Sequence, residues 1–194
     1  PIHINTNQQV LDHFDRLRRG VRSYLERFDN EDFQRHFNNE RTFYFAGTSQ
    51  RKDPETLVLI DIDCKKIGTL EGAMAFAEYL KEHHFPDLYI EPSTHGRGGH
   101  GFFVLEKCDL EAEYLNDLLL HRLQPWLRQI LKEHDFDVEN VEIKGTLPVL
   151  VWGKERLELT NYKSGTLAKL PRLGSPDKED ALRNTTRVSV SDLQ

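Results

Sequence analysis

The chain has 194 residues, 38% of them apolar and 30% charged, with a formal net charge of −6. That composition belongs to a globular chain with one sizeable core, and the acidic balance excludes a protein that coats nucleic acid by general basicity while leaving room for a local basic groove. Cys64 and Cys108 are the whole cysteine complement and form no Cys-x-x-Cys pair, which excludes a zinc finger and a disulfide framework.

No apolar run approaches the roughly 18 residues of a membrane span, and the polar start Pro1 to Asn5 is not a signal peptide. The expectation is therefore a cytoplasmic chain with no membrane partner, and a start without Met is what an excised domain would have.

From Thr6 to Phe28, Val10, Phe14, Leu17, Val21, Tyr24 and Leu25 recur at helical steps, predicting an amphipathic helix with Arg16, Arg18, Arg19 and Arg22 on its polar face. Arg41 to Phe45 reads as a short strand, followed by a polar loop. Leu57-Val58-Leu59-Ile60-Asp61-Ile62-Asp63 then reads as a central strand, apolar on both faces, that ends in two acids. Side chains alternate across a strand, so Asp61 and Asp63 share a face at a Cα separation of roughly 6–7 Å. Two carboxylates that close, in a partly dry site, call for a cation, and oxygen ligands favour magnesium or manganese over zinc.

Lys65 to Gly68 is expected to turn the chain into a helix capped by Thr69 and running to His84. Leu88 to Glu91 and His100 to Leu105 read as strands. A long helical pattern spans Leu110 to His134, with a kink or break expected at Pro125. Val138 to Ile143 reads as another strand, then come a hairpin with arms 149–152 and 156–159 and a basic tail. From Leu57 on, the order strand-helix-strand-strand-helix-strand is the split βαβ pattern, an α/β (α+β) class. Right-handed crossovers then put the first strand between the third and fourth, so Asp61, Asp63 and His100 converge at one rim.

The loop His95-Gly96-Arg97-Gly98-Gly99-His100 supplies what a polyphosphate needs: glycine N–H groups, a guanidinium and an imidazole. Its alternatives are an ordinary hairpin turn, or a transition-metal site on His95 and His100, whose spacing is not a usual zinc pattern.

As a set, Leu59-Ile60-Asp61-Ile62-Asp63 with Gly96-Arg97-Gly98-Gly99-His100-Gly101-Phe102 resembles the archaeo-eukaryotic primase superfamily, the primase-polymerases. His95 stands where that family often has Ser. Arg41 with Phe43 and Phe45 is similar to the family's arginine-led upstream strand. Leu157-Glu158-Leu159-Thr160-Asn161-Tyr162, then Lys169-Leu170-Pro171-Arg172, is similar to its acid strand and the basic residues beyond.

The resemblance covers about residues 41–175 and implies a split βαββαβ, RRM-like palm at 56–194, with an N-terminal extension at 1–55 and a C-terminal hairpin plus basic tail, all one catalytic domain. It implies template-directed nucleotidyl transfer with two Mg2+ or Mn2+ ions held by Asp61, Asp63 and Glu158. Glu142 is the rival third acid: simple topology favours it, whereas motif spacing favours Glu158. Arg41, Arg97, Gly98, His100, Lys169 and Arg172 would contact nucleotide or template phosphates. The implied partners are a DNA or RNA template and primer, nucleoside triphosphates, and a helicase or accessory domain outside this stretch.

Lys163 to Arg187 has six basic residues against three acidic ones and is the expected path for template phosphates. Two alternatives remain open. A rolling-circle or relaxase-type endonuclease needs a paired-histidine motif and a nucleophilic tyrosine, and Tyr162 is available. A non-catalytic RRM-like nucleic-acid-binding domain would use the same sheet without metal.

Overall fold

A computed structural model describes residues 30–38, 40, 44–45, 55–93, 96–106, 112–145, 150–152, 157–159, 168–169, 171–173 and 175–194. The helix expected at 6–28 and residues Arg41, His95 and Tyr162 lie outside these.

In chain order come α1 (Asn30–Phe37), β1 (Tyr44–Phe45), β2 (Glu55–Gly68), α2 (Leu70–His83), β3 (Tyr89–Pro92) and β4 (Gly99–Glu106). After them α3 (Ala112–Leu118) passes through a π turn (Leu119–Leu123) into α4 (Gln124–Glu133), followed by β5 (Val138–Lys144). The hairpin strands are β6 (Leu150–Trp152) and β7 (Leu157–Leu159), and β8 (Ala168–Lys169), α5 (Pro176–Arg183), β9 (Arg187–Val188) and α6 (Val190–Leu193) complete the chain. The class is mixed α and β, as expected. β2 is flanked by β4 and β5, antiparallel to both, in the order β3-β4-β2-β5.

Val58, Ile60 and Ile62 of β2 point to the helical side. There they join one core with Ala73, Phe76, Ala77 and Leu80 of α2, Leu115, Leu118, Leu119, Leu127 and Ile130 of the second helical run, and Phe103, Leu105, Val141 and Ile143 of the flanking strands. Each fully buried large side chain contributes about 1.5–3 kcal/mol. Thr69 caps α2, its hydroxyl accepting from Gly72 N–H at 3.0 Å. The opposite face carries Leu59, Phe102 and Tyr89 in one cross-strand row, also buried.

The strand carrying the acids does not stop at Asp63. It continues through Gly68: past a register shift after Asp63 the Glu139 carboxylate on β5 takes the Lys65 and Lys66 N–H groups at 3.1 and 3.4 Å, and Gly68 pairs with Val138. Asp61 and Asp63 therefore sit within the strand, where the sequence pattern ended it with them. At Pro125 the expected break is instead a widened turn just upstream, with Gln124 N–H bonding back to the Leu119 carbonyl. A proline cannot donate to the ordinary helical ladder, and the π turn absorbs that without ending the helix.

Part of the C-terminal segment belongs to the fold. β9 adds in parallel to β4, and Val188 and Leu193 enter the core. Buried Thr185 accepts from Tyr89 N–H at 2.9 Å and lies 2.8 Å from the Phe102 carbonyl. At the far edge of the sheet, α4 supplies side chains to β5. Arg128 donates to the Val141 carbonyl at 3.0 Å, and the Gln124 amide oxygen accepts from Ile143 N–H at 2.8 Å. Among the described residues no helix is long and apolar enough to cross a membrane.

Candidate active site

Register decides which polar groups meet. Asp61 lies opposite His100 on β4 and opposite Glu142 on β5, and His100 lies opposite Glu91 on β3. Directly opposed residues of antiparallel strands share a face, so Glu91, His100, Asp61 and Glu142 form one row across four strands. Asp63 stands one step along the same face, opposite Asn140. The His100 Nε2 to Asp61 Oδ1 distance is 3.3 Å, and Lys144 Nζ is 3.3 Å from Asp61 Oδ2 and 3.9 Å from Glu142 Oε2. Asp63 pairs with Lys65 at 3.5 Å, and the Asn140 amide donates to Glu142 at 3.4 Å.

Burial by itself pushes the Asp61 carboxyl up. The His100 hydrogen bond and charge, with the charge and hydrogen bond of Lys144, outweigh it and hold Asp61 below the usual aspartate value. Asp61 is thus an ionised group in a half-dry site, with a cationic or polar partner on either side.

The loop before β4 is closed on itself. Gly98 N–H donates to the Ser93 hydroxyl at 3.1 Å, Ser93 N–H donates to the Gly98 carbonyl at 2.9 Å, and Gly96 N–H donates to the Ser93 carbonyl at 3.0 Å. A Cβ on Gly98 would lie 2.3 Å from the Ile62 carbonyl oxygen, so this glycine is required by the close approach of the loop to β2. Its N–H, expected to face a phosphate, is engaged within the turn. The exposed Arg97 guanidinium donates to the Lys65 carbonyl at 3.4 Å, which sets it beyond Asp63 on the same strand.

Lys169 and Arg172 arrive from the C-terminal side. β8 pairs with β1 in the register Tyr44 to Lys169. Arg172 N–H donates to both Glu91 carboxylate oxygens at 3.0 and 3.1 Å, while its guanidinium binds the His36 carbonyl and lies 3.3 Å from His36 Nδ1. Lys169 is only 8% exposed. Burial first, then the Arg172 charge, push its ammonium down to about 8 against the pull of the Glu91 carboxylate. Tyr89 donates to Glu91 at 3.0 Å, and burial, then the adjacent carboxylate, push its phenol well above the ordinary value.

Glu158 lies opposite Val151 in the two-stranded sheet of β6 and β7, and its side chain is outside the described ones. Asp61, Asp63 and Glu142 offer the hard oxygen donors that Mg2+ or Mn2+ takes, and in that chemistry they fit such an ion. As they stand, each leans toward an ammonium, and among the described residues no three His, Cys, Asp or Glu side chains are grouped closely enough to hold a metal. Sequence reasoning passed over Lys144 and Glu91. Lys144 could have been found from its step of two after Glu142, which puts both on one strand face.

The chain matches no family model, no curated protein and no solved structure.

Proposed function

We propose that the protein is a template-directed nucleotidyltransferase of the primase-polymerase type. The observation that supports this reading is the juxtaposition of Asp61 with His100 and Glu142, three segments distant in sequence, with Asp63 beside them. Glu142 is the third acid the register favours, and Glu158 remains the candidate from motif spacing. Bound among these acids, two Mg2+ or Mn2+ ions would supply Lewis-acid activation of the attacking hydroxyl and neutralise the departing pyrophosphate.

The chain's own groups do the rest. Asp61 is kept ionised by His100 and Lys144, so it is a charged ligand at neutral pH. Arg97, exposed beyond Asp63 where it donates to the Lys65 carbonyl, orients the triphosphate. Arg172 holds the C-terminal segment on Glu91 and thereby keeps Lys169 at the edge of the site. Arg41 completes the nucleotide contacts in this reading, while Gly98, its N–H taken by the Ser93 hydroxyl, shapes the loop beside them. Its substrates are nucleoside triphosphates with a DNA or RNA template and primer, a helicase or accessory domain is a further partner, and the setting is cytoplasmic.

The buried state of Tyr89 and Phe102 also supports an enzyme over a base-stacking module, because these two aromatics are not open to bases. The test is primer extension with Mg2+ or Mn2+ by wild type and by the double variant Asp61→Ala, Asp63→Ala, each checked for native circular dichroism. Loss of extension in a folded variant is the expected result. Retained extension overturns the proposal.

A further inference from the structure

The ammonium of Lys144 lies between two acids that face each other across β2 and β5. Its Nζ is 3.3 Å from Asp61 and 3.9 Å from Glu142. Lys144 itself is opposite Leu59, one cross-strand row away, so its stem runs diagonally along the sheet to reach the acids. The side chain is 24% exposed, which leaves it a short path back to water. A lysine stem can take that path by rotating its own bonds, without moving the strand, and its head is a compact point charge similar in placement to a small ion.

We propose that Lys144 is the resident cation of this site, holding Asp61 and Glu142 together until a divalent ion displaces it. The inference rests on the reading of these acids as ion ligands and adds to it an exchange: one positive charge leaves the carboxylates as two arrive. Without Lys144 the two acids would face each other with the His100 ring on Asp61 and the neutral Asn140 amide on Glu142 as their remaining partners among the described residues, at a cost in stability that a divalent ion would relieve. With Lys144 in place, an incoming ion meets a like charge that must first withdraw. Lys144 therefore sets how much metal the site requires, as a positioning residue that need not touch substrate.

The experiment is a Mn2+ titration of the full chain, reading free ion by its electron paramagnetic resonance signal, alongside thermal unfolding with and without Mn2+. Wild type is compared with Lys144→Met, Lys144→Gln and Asp61→Asn. The two Lys144 variants should bind Mn2+ about tenfold more tightly than wild type, a factor corresponding to about 1.4 kcal/mol. They should also melt lower than wild type in chelator and recover most of that loss on adding Mn2+. Unchanged or weaker Mn2+ binding in both variants, with wild-type binding abolished by Asp61→Asn, overturns the role of Lys144 and leaves the acid site standing. No Mn2+ binding by any form, or binding indifferent to Asp61→Asn, overturns the acid site and this inference with it.

Discussion

Lys169 is the group whose replacement has the most calculable outcome. The residue is largely buried, and burial, then the Arg172 charge, bring its ammonium down from 10.5 to about 8. At about 1.4 kcal/mol for each factor of ten, holding the charged form in the folded chain costs about 3 kcal/mol, an upper bound because water reaching the segment's edge screens part of it. Lys169→Met keeps the stem and removes the charge, so it should stabilise the metal-free protein by about 1–3 kcal/mol at pH 7. The sign of the pH dependence follows from the lowered value. Between about pH 8 and 10.5 the unfolded chain holds the proton that the folded chain has released, so wild-type stability rises with pH across that window. Met cannot titrate, and the advantage of the variant should shrink over the same interval. Urea unfolding of both proteins at pH 7, 8.5 and 10 reads this directly. A variant less stable than wild type at pH 7, or a gap that stays constant to pH 10, would refute the assignment of Lys169 as a buried, strained cation.

Gly98→Ala should destabilise the fold by about 1–3 kcal/mol, since its Cβ must push the loop off the Ile62 carbonyl, and should lower the melting temperature with or without nucleotide. Asp61 is held below its ordinary value, so its contribution to stability is present above about pH 4 and is lost as pH falls through the lowered value; acid unfolding in chelator should be steeper for wild type than for Asp61→Asn. Glu142→Gln and Glu158→Gln, assayed side by side for Mn2+ affinity and primer extension, should separate the two candidates. Loss of both properties is expected for Glu142, and the opposite outcome would restore Glu158.

Much of the architecture is written in alternation. Apolar residues on both faces of 57–62 mark a central strand, and Thr69 marks the start of α2, because burial and capping are local demands. The pairing of Asp61 with His100 also follows from strand order. The continuation of β2 through Lys65 and Lys66 does not, since it depends on Glu139 from a strand more than 70 residues away. Two residues of a basic pair read locally as a turn, whereas here the Glu139 carboxylate takes their N–H groups and pairing with β5 resumes at Gly68 opposite Val138. Lys144 escaped for a related reason: a sequence gives the parity of a side chain, whereas its neighbour across the ladder is fixed by register. Charge alone marks the C-terminal segment as a path for phosphates. Its placement is decided by a few apolar and hydroxyl side chains, Thr185, Val188 and Leu193, which a charge count overlooks.

The attachment of α4 to the outer rim of β5 has a consequence for how copies of this molecule meet. An unpaired rim invites strand addition by any passing extended chain. Here the guanidinium of Arg128 and the amide of Gln124 stand where such a strand would bond, so an intruder must first evict two side chains anchored on a packed helix. The rim nearest the acids is thereby shielded from strand addition at Val141 and Ile143.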